Sequence, residues 1–238
     1  MKFRNLEKKV IIIIGPPGSG KGTQAYLLAR ELEMYHFETS KVLEEKFQKA
    51  KKGEVVKVGK EKYKIKEEEK IWLQGKLCSP PFVVHLILEK IKKLFRQDQS
   101  IIFSGSPRTL YEGEKIIPLL KKLYKKKNIK VIFLDISPKE TLFRNSHRRI
   151  CQLVRHPILH LKETKNLKRC PLDGSKLMKR KGLDDLKTIE TRLKEYNERT
   201  LPLINYFKKE GLKVIKVSGS PPPAIVFRNI LKALKIKK

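Results

Sequence analysis

Three observations in this sequence predict an α/β fold, a three-layer sandwich around a five-stranded parallel sheet. Five short apolar segments, at about 9–14, 35–38, 100–104, 130–135 and 213–217, have the length and β-branched character of buried strands. Helical periodicity fills the gaps, as in Val84, Leu86, Ile87, Leu88, Ile91, Leu94 and Phe95. Strands alternating with helices imply a parallel sheet covered on both faces. The third observation is a glycine-rich loop at the end of the first strand, where an open parallel sheet binds its ligands.

That loop follows Val10-Ile11-Ile12-Ile13-Ile14 and reads Gly15-Pro16-Pro17-Gly18-Ser19-Gly20-Lys21-Gly22-Thr23-Gln24. Glycine lets the backbone turn so that several N–H groups point into one concavity. A helix is predicted to start near Lys21, because Ala25, Leu28, Ala29 and Leu32 repeat at helical spacing. Its N-terminal amides and dipole add to the same positive pocket. The spacing Gly15-x4-Gly20-Lys21 fits a phosphate-binding loop (P-loop), with Lys21 reaching the outer phosphates. Gly22 stands where that pattern has Ser or Thr, and Thr23 supplies the hydroxyl one place later.

Composition sets outer bounds. A chain of 238 residues is long enough for one globular domain with inserts and a full core. No apolar run approaches the roughly 20 residues of a bilayer span, so no membrane partner is expected. No secretory signal is visible, and the three cysteines, Cys78, Cys151 and Cys170, argue against a disulfide framework; a cytoplasmic protein is expected. The net charge of +31, from 56 basic and 25 acidic residues, predicts non-specific attraction to polyanions at low salt. Most of the excess is lysine in solvated runs such as Lys125-Lys126-Lys127. Aromatics are not interleaved with them, so no platform for stacking bases is evident.

Four blocks resemble the adenylate kinase branch of the nucleoside monophosphate kinases. The first is the Gly-Lys-Gly-Thr version of the loop. The second is Ile101-Ile102-Phe103-Ser104-Gly105-Ser106-Pro107-Arg108-Thr109, similar to the family's strand followed by Asp-Gly-Phe-Pro-Arg-Thr. The third is Val131-Ile132-Phe133-Leu134-Asp135 with Arg144 and Arg148-Arg149. The fourth is Asp184-Asp185 with Arg192-Leu193-x-x-Tyr196 and Pro202-Leu203-Ile204-x-Tyr206. They come in the family's order over nearly the whole chain.

The resemblance implies a P-loop core at 1–39, 76–145 and 184–238, a monophosphate-binding insert at 40–75 and a lid at 146–183. The first insert is strongly charged, with a hairpin expected around Val55-Val56-Lys57-Val58-Gly59. The implied reaction moves the γ-phosphoryl group of ATP, as its Mg2+ complex, to AMP or a related monophosphate. The implied ATP contacts are Gly15, Pro16, Gly18, Ser19, Gly20, Lys21, Gly22, Thr23, Arg144, Arg148 and Arg180. The implied acceptor contacts are Thr39, Cys78, Gly105, Arg108 and Glu112. Lys21, Arg108, Arg148 and Arg192 are the residues expected to serve catalysis. Guanidinium forks suit phosphate oxygens, and phosphoryl transfer needs positioning and charge neutralisation above all. The family is often monomeric, and a monomer is expected.

The chain also departs from the family. Ser104 stands in place of an Asp that helps hold the hydrated magnesium ion, and a hydroxyl is a poorer partner for a hard dication. Glu44 replaces an arginine of the acceptor site, leaving Lys41 or Lys46 as substitutes. Glu112 replaces a Gln that reads adenine; a carboxylate accepts from guanine's donors but cannot donate. In the lid, Cys151 is followed by Val154, so the first Cys-x-x-Cys-like pair is broken. Cys170 and Asp173 keep a usable second pair, with His156 or His160 available at irregular spacing. With three matching ligands, zinc is expected to bind weakly or not at all. Trp72 and Gly75 are expected to end an insert helix. A rival reading keeps the loop in a nucleotide-dependent RNA- or ribosome-associated factor with a degenerate acceptor site.

Overall fold

The computed structural model describes residues 7–179 and 184–236. Strands β1 (Val10–Ile14), β2 (Tyr35–Glu38), β5 (Ile101–Ser104), β6 (Ile129–Asp135) and β10 (Val214–Ser218) form one sheet in the order β10-β6-β1-β5-β2. Every neighbouring pair in it is parallel. The strand boundaries fall within one residue of those predicted, because a run such as Val-Ile-Ile-Ile-Ile is fully buried and ends abruptly at glycine.

Side chains alternate between the two faces, and the core is split accordingly. Val10, Ile12 and Ile14 pack with Phe37 and Phe103 against α4 (Pro80–Arg96), α5 (Leu110–Tyr124) and α8 (Leu203–Lys209). Ile11 and Ile13 pack with Ile102 and Ile132 against α1 (Lys21–Glu31) and α9 (Pro223–Ala233). Each fully buried Ile or Leu contributes about 1.5–3 kcal/mol. Truncating Ile12, at 0% exposure, to Ala would cost about 2–5 kcal/mol.

Two smaller parts interrupt the core. Between β2 and α4 lie α2 (Thr39–Lys49), the antiparallel hairpin of β3 (Val55–Val58) and β4 (Glu61–Lys64), and α3 (Ile65–Leu73). The hairpin turns at Gly59, as the sequence predicts. After α6 (Pro138–Ser146), strands β7 (Arg149–Cys151), β8 (Pro157–Ile158) and β9 (Leu177–Met178) form a separate antiparallel sheet in the order β8-β7-β9. Helix α7 (Leu186–Glu195) runs into a π-helical turn, Tyr196–Thr200, before α8.

The topology locates the site. Strands β5 and β6 flank β1 on opposite sides, so the chain changes direction around β1. A crevice opens at the carboxyl ends of the strands there. Side-chain caps fix the helices that border it. Thr109 accepts from the Glu112 N–H at the head of α5 (3.2 Å), and Ser137 from the Glu140 N–H at the head of α6 (3.1 Å). Asp185 accepts from the Thr188 N–H at the head of α7 (2.9 Å).

Candidate active site

The loop after β1 has the backbone its glycines predict. A Cβ on Gly15 would lie 2.4 Å from the Leu134 carbonyl oxygen, so strand β6 leaves no room for a side chain. Gly20 caps α1 in the left-handed region, φ +89°, which turns the first helical amides into the concavity. Ser19 is buried in this loop, and its Oγ has no hydrogen-bond partner. A buried hydroxyl without a partner points to a ligand.

Cations converge on this loop from three other elements. Lys21 donates from Nζ to the carbonyls of Gly15 and Pro16, both at 2.8 Å. Its ammonium is held well below the usual lysine range, first by burial and then by the charges of Arg108, Arg192 and Arg148. Four cations crowded together are unfavourable by themselves and suited to a polyanion. Arg148 follows α6 and pairs with the buried Asp184 (3.8 Å) and with Asn145 Oδ1. Arg144 reaches across the loop, donating to the Ser220 carbonyl (2.9 Å) and the Gly18 carbonyl (3.4 Å). Arg180 lies outside the described residues.

Arg108 is anchored along its length. Its N–H donates to Glu112 Oε2 (2.8 Å), its carbonyl accepts from Thr200 Oγ1 (2.7 Å), and its Nε donates to the Gly105 carbonyl (2.6 Å). It separates two cavities and lines both. One runs past Gly15, Lys21, Gly105, Arg192 and Tyr196. The other is walled by Thr39, Leu43, Trp72, Cys78 and Glu112. Thr39, on the wall of the second cavity, is buried with Oγ1 unpartnered. Burial raises the Glu112 carboxyl above its usual range, against the Arg108 N–H bond that lowers it.

Some sequence expectations change here. Both lysines offered for the missing arginine are paired with carboxylates in this structure: Lys41 with Glu38 (2.7 Å) and Lys46 with Glu54 (2.8 Å). Lys76 lines the second cavity instead. Trp72 and Gly75 do close α3, as predicted, but each also lines one of the cavities. The sequence reading missed Thr200 and Glu195, which wall the first cavity beside Tyr196. The π-helical turn that carries Thr200 and begins directly after Glu195 has no pattern of its own in the sequence, although such turns recur at functional sites.

The segment around β7, β8 and β9 brings together more candidate ligands than its spacing suggests. Cys151, His156, Cys170 and Asp173 each offer an atom, and these lie within 4.8 Å of one another. His156 Nδ1 is 3.2 Å from Cys151 Sγ and its Nε2 is 3.3 Å from Cys170 Sγ. Backbone N–H groups of Val154 and Leu172 donate to the two sulfurs at 3.3 and 3.4 Å. Asp173 Oδ2 is buried without a partner. Of the two histidines the sequence offers beside these three residues, the structure places His156 with them. His160 is elsewhere, its ring 4.5 Å from that of His147.

Comparison with known proteins covers these parts together. The adenylate kinase family profile matches residues 13–212. An adenylate kinase of Chlamydia trachomatis serovar D is 30% identical over 225 residues, covering 94% of this chain and 89% of that one. Adenylate kinases of Chlamydia abortus (32% over 230 residues, 97% and 99%) and Methanothrix thermoacetophila (30% over 226 residues, 94% and 97%) are similar too. The likeness runs from the glycine loop through both inserts to α8, far beyond a shared phosphate loop, and the chain belongs to the adenylate kinase family of nucleoside monophosphate kinases.

Proposed function

We propose that this protein is an ATP-dependent nucleoside monophosphate kinase acting on AMP. One observation carries the reading: Arg108 lies between two cavities, one lined by the phosphate loop and the other by apolar walls and Glu112. A donor triphosphate would occupy the first and an acceptor monophosphate the second.

In this reading the loop amides, Ser19 and Lys21 hold the donor's phosphates. Arg108 holds the acceptor phosphate, and Arg148 and Arg192 neutralise charge on the transferring group. An acceptor oxygen attacks the γ-phosphorus in line, the bond from that phosphorus to the β–γ bridging oxygen breaks, and two nucleoside diphosphates result. The attacking oxygen is already ionised, so no general base is required of the protein. Segments 40–75 and 146–183 close over acceptor and donor and exclude water.

Oxygen donors of the kind Mg2+ accepts are the Thr23 hydroxyl in the first turn of α1, next to the loop, and Ser104 with its strand partner Glu38 at the carboxyl edge of the sheet. The donor set fits the ion, and Thr23 would hold it. Bound with ATP, magnesium neutralises charge on the β- and γ-phosphates. The lid set of two sulfurs, an imidazole and an otherwise unpartnered carboxylate oxygen fits a structural Zn2+.

The test is a coupled assay with ATP against AMP, GMP, CMP and UMP. Turnover with AMP is expected. Binding of ATP without transfer to any monophosphate would overturn the reading.

A further inference from the structure

Ser104 ends β5 two residues beyond Ile102, so both face α1. In the parallel pairing of β2 with β5, the Cα partner of Ser104 is Glu38. Partnered residues of a parallel pair project to the same face, and the strands are about 4.8 Å apart. His36 shares that face too, two residues before Glu38. Its Nε2 lies 2.7 Å from Ser104 Oγ and its Nδ1 lies 3.4 Å from Glu38 Oε1. Glu38, His36 and Ser104 therefore form one connected polar chain at the carboxyl edge of the sheet. On its other side Ser104 is partnered with Ile13 of β1, two residues before Gly15.

We propose that Glu38 supplies the carboxylate that position 104 lacks, so that the acid holding the hydrated magnesium ion of Mg-ATP has moved one strand across the sheet. The proposal rests on the phosphoryl-transfer reading. Three observations carry it. The acid and the hydroxyl occupy partnered positions on neighbouring strands. A histidine joins them. The Glu38 side chain is partly exposed, at 21%, and its second oxygen is held by the flexible, exposed Lys41. The longer glutamate side chain offsets part of the extra strand spacing. His36 and Ser104 act as positioning residues that fix the orientation of the carboxylate. Orienting partners of this kind are worth about 10- to 100-fold in metal affinity.

The experiment measures Mn2+ binding by electron paramagnetic resonance, with Mn2+ standing in for Mg2+. The protein is first saturated with a non-hydrolysable β,γ-imido analogue of ATP. Analogue binding in the absence of metal is measured separately, in wild type and in Lys21→Ala. Glu38→Gln should weaken Mn2+ about tenfold and leave metal-free analogue binding unchanged. The exchange variant Glu38→Ser with Ser104→Asp should restore wild-type Mn2+ affinity. An unchanged Mn2+ affinity in Glu38→Gln would overturn the proposal and leave Glu38 as a partner of Lys41 and His36. Failure of the exchange variant to recover affinity, with analogue binding intact, would overturn it as well. If wild type does not bind the analogue, or Lys21→Ala binds it equally well, the phosphoryl-transfer reading itself has failed, and the proposal with it.

Discussion

The backbone N–H of Arg108 donates to the buried carboxylate of Glu112 at 2.8 Å. In the proposed reading, the residue assigned to the acceptor base thus also sets the backbone of the residue assigned to its phosphate. Both lie around the first turn of α5, and Ser106 donates to the same carboxylate oxygen at 3.4 Å. On that reading, base selection and phosphate grip would be coupled through one side chain.

The coupling bears on specificity. A carboxylate can accept from the amino group of adenine or from the two donors of guanine, while an amide can also donate to adenine. Leaving a buried partner unpaired costs roughly 1–3 kcal/mol. The preference for AMP over GMP should therefore be about 10- to 100-fold weaker in wild type than in Glu112→Gln, read as the ratio of kcat/KM values. An identical ratio in both proteins would show that Glu112 does not face the base.

Glu112 should also leave a mark on stability. Burial holds its carboxyl above the ordinary 4.5, so folding favours the protonated form. That contribution is fully present below the unfolded value and is lost as pH rises through the folded one. Glu112→Gln has no proton to lose. The Tm of the variant minus that of wild type should grow as pH is raised from about 4 to 7, measured by calorimetry in ligand-free protein. A difference that stays flat with pH would mean that the carboxylate is fully compensated by the Arg108 N–H and Ser106.

How legible this site is in the sequence depends on the distance over which each part is specified. The phosphate loop is written in ten consecutive residues, and the strands in unbroken apolar runs, so both are read correctly. The pairing of Lys41 and Lys46 with Glu38 and Glu54 is not legible in the sequence, because those partners are set by the packing of the segment between β2 and α4. His156 is named in the sequence but not separated from His160, because a candidate ligand five residues after Cys151 fits no regular spacing. The structure brings it back with Arg155 in the left-handed region, φ +59°. Glu38 escapes because its importance lies in a strand register, β2 on β5, that pairs positions 66 residues apart, 38 with 104.

Arg108 is held at both its backbone N–H and its carbonyl, and the two kinds of loss can be separated. Arg108→Ala should cost several kcal/mol, on the order of 3, in transition-state binding, with ATP affinity nearly intact. Thr200→Val removes only the 2.7 Å bond to the Arg108 carbonyl. It should raise KM for the monophosphate about tenfold, about 1.4 kcal/mol, and spare the KM for ATP. Loss of ATP binding with an unchanged monophosphate KM in either variant would reverse the assignment of the two cavities.

Lys21 stands among Arg108, Arg148 and Arg192, and its charge is disfavoured until a polyanion arrives. Lys21→Met should lower kcat by about a thousandfold, because it removes the charge nearest the transferring group. The Tm of the ligand-free variant should be no lower than that of wild type, since a crowded cation has been removed. Turnover close to wild type would show that the loop does not bind the reacting phosphates.

The lid makes the last prediction. Two sulfurs, one imidazole and one carboxylate oxygen within 4.8 Å match the number and type of donors that a structural zinc site requires. The apolar support around them is thin: Cys151, Ile158 and Cys170 are its buried members, with Leu177 packed alongside. A core that small supplies little folding energy, so a metal would provide much of the order in this segment. Protein purified without added metal should carry about one zinc per chain by atomic absorption, and Cys170→Ser should lose it. Chelation should lower Tm by several degrees, at about 2–4 °C per kcal/mol for a chain of this size, and should increase proteolysis within 146–183 first. His156→Ala separates this from a lid that merely packs its cysteines. With zinc bound, the substitution removes a ligand and most of the metal. With packing alone, it leaves Tm and metal content where they were, and the zinc site is refuted.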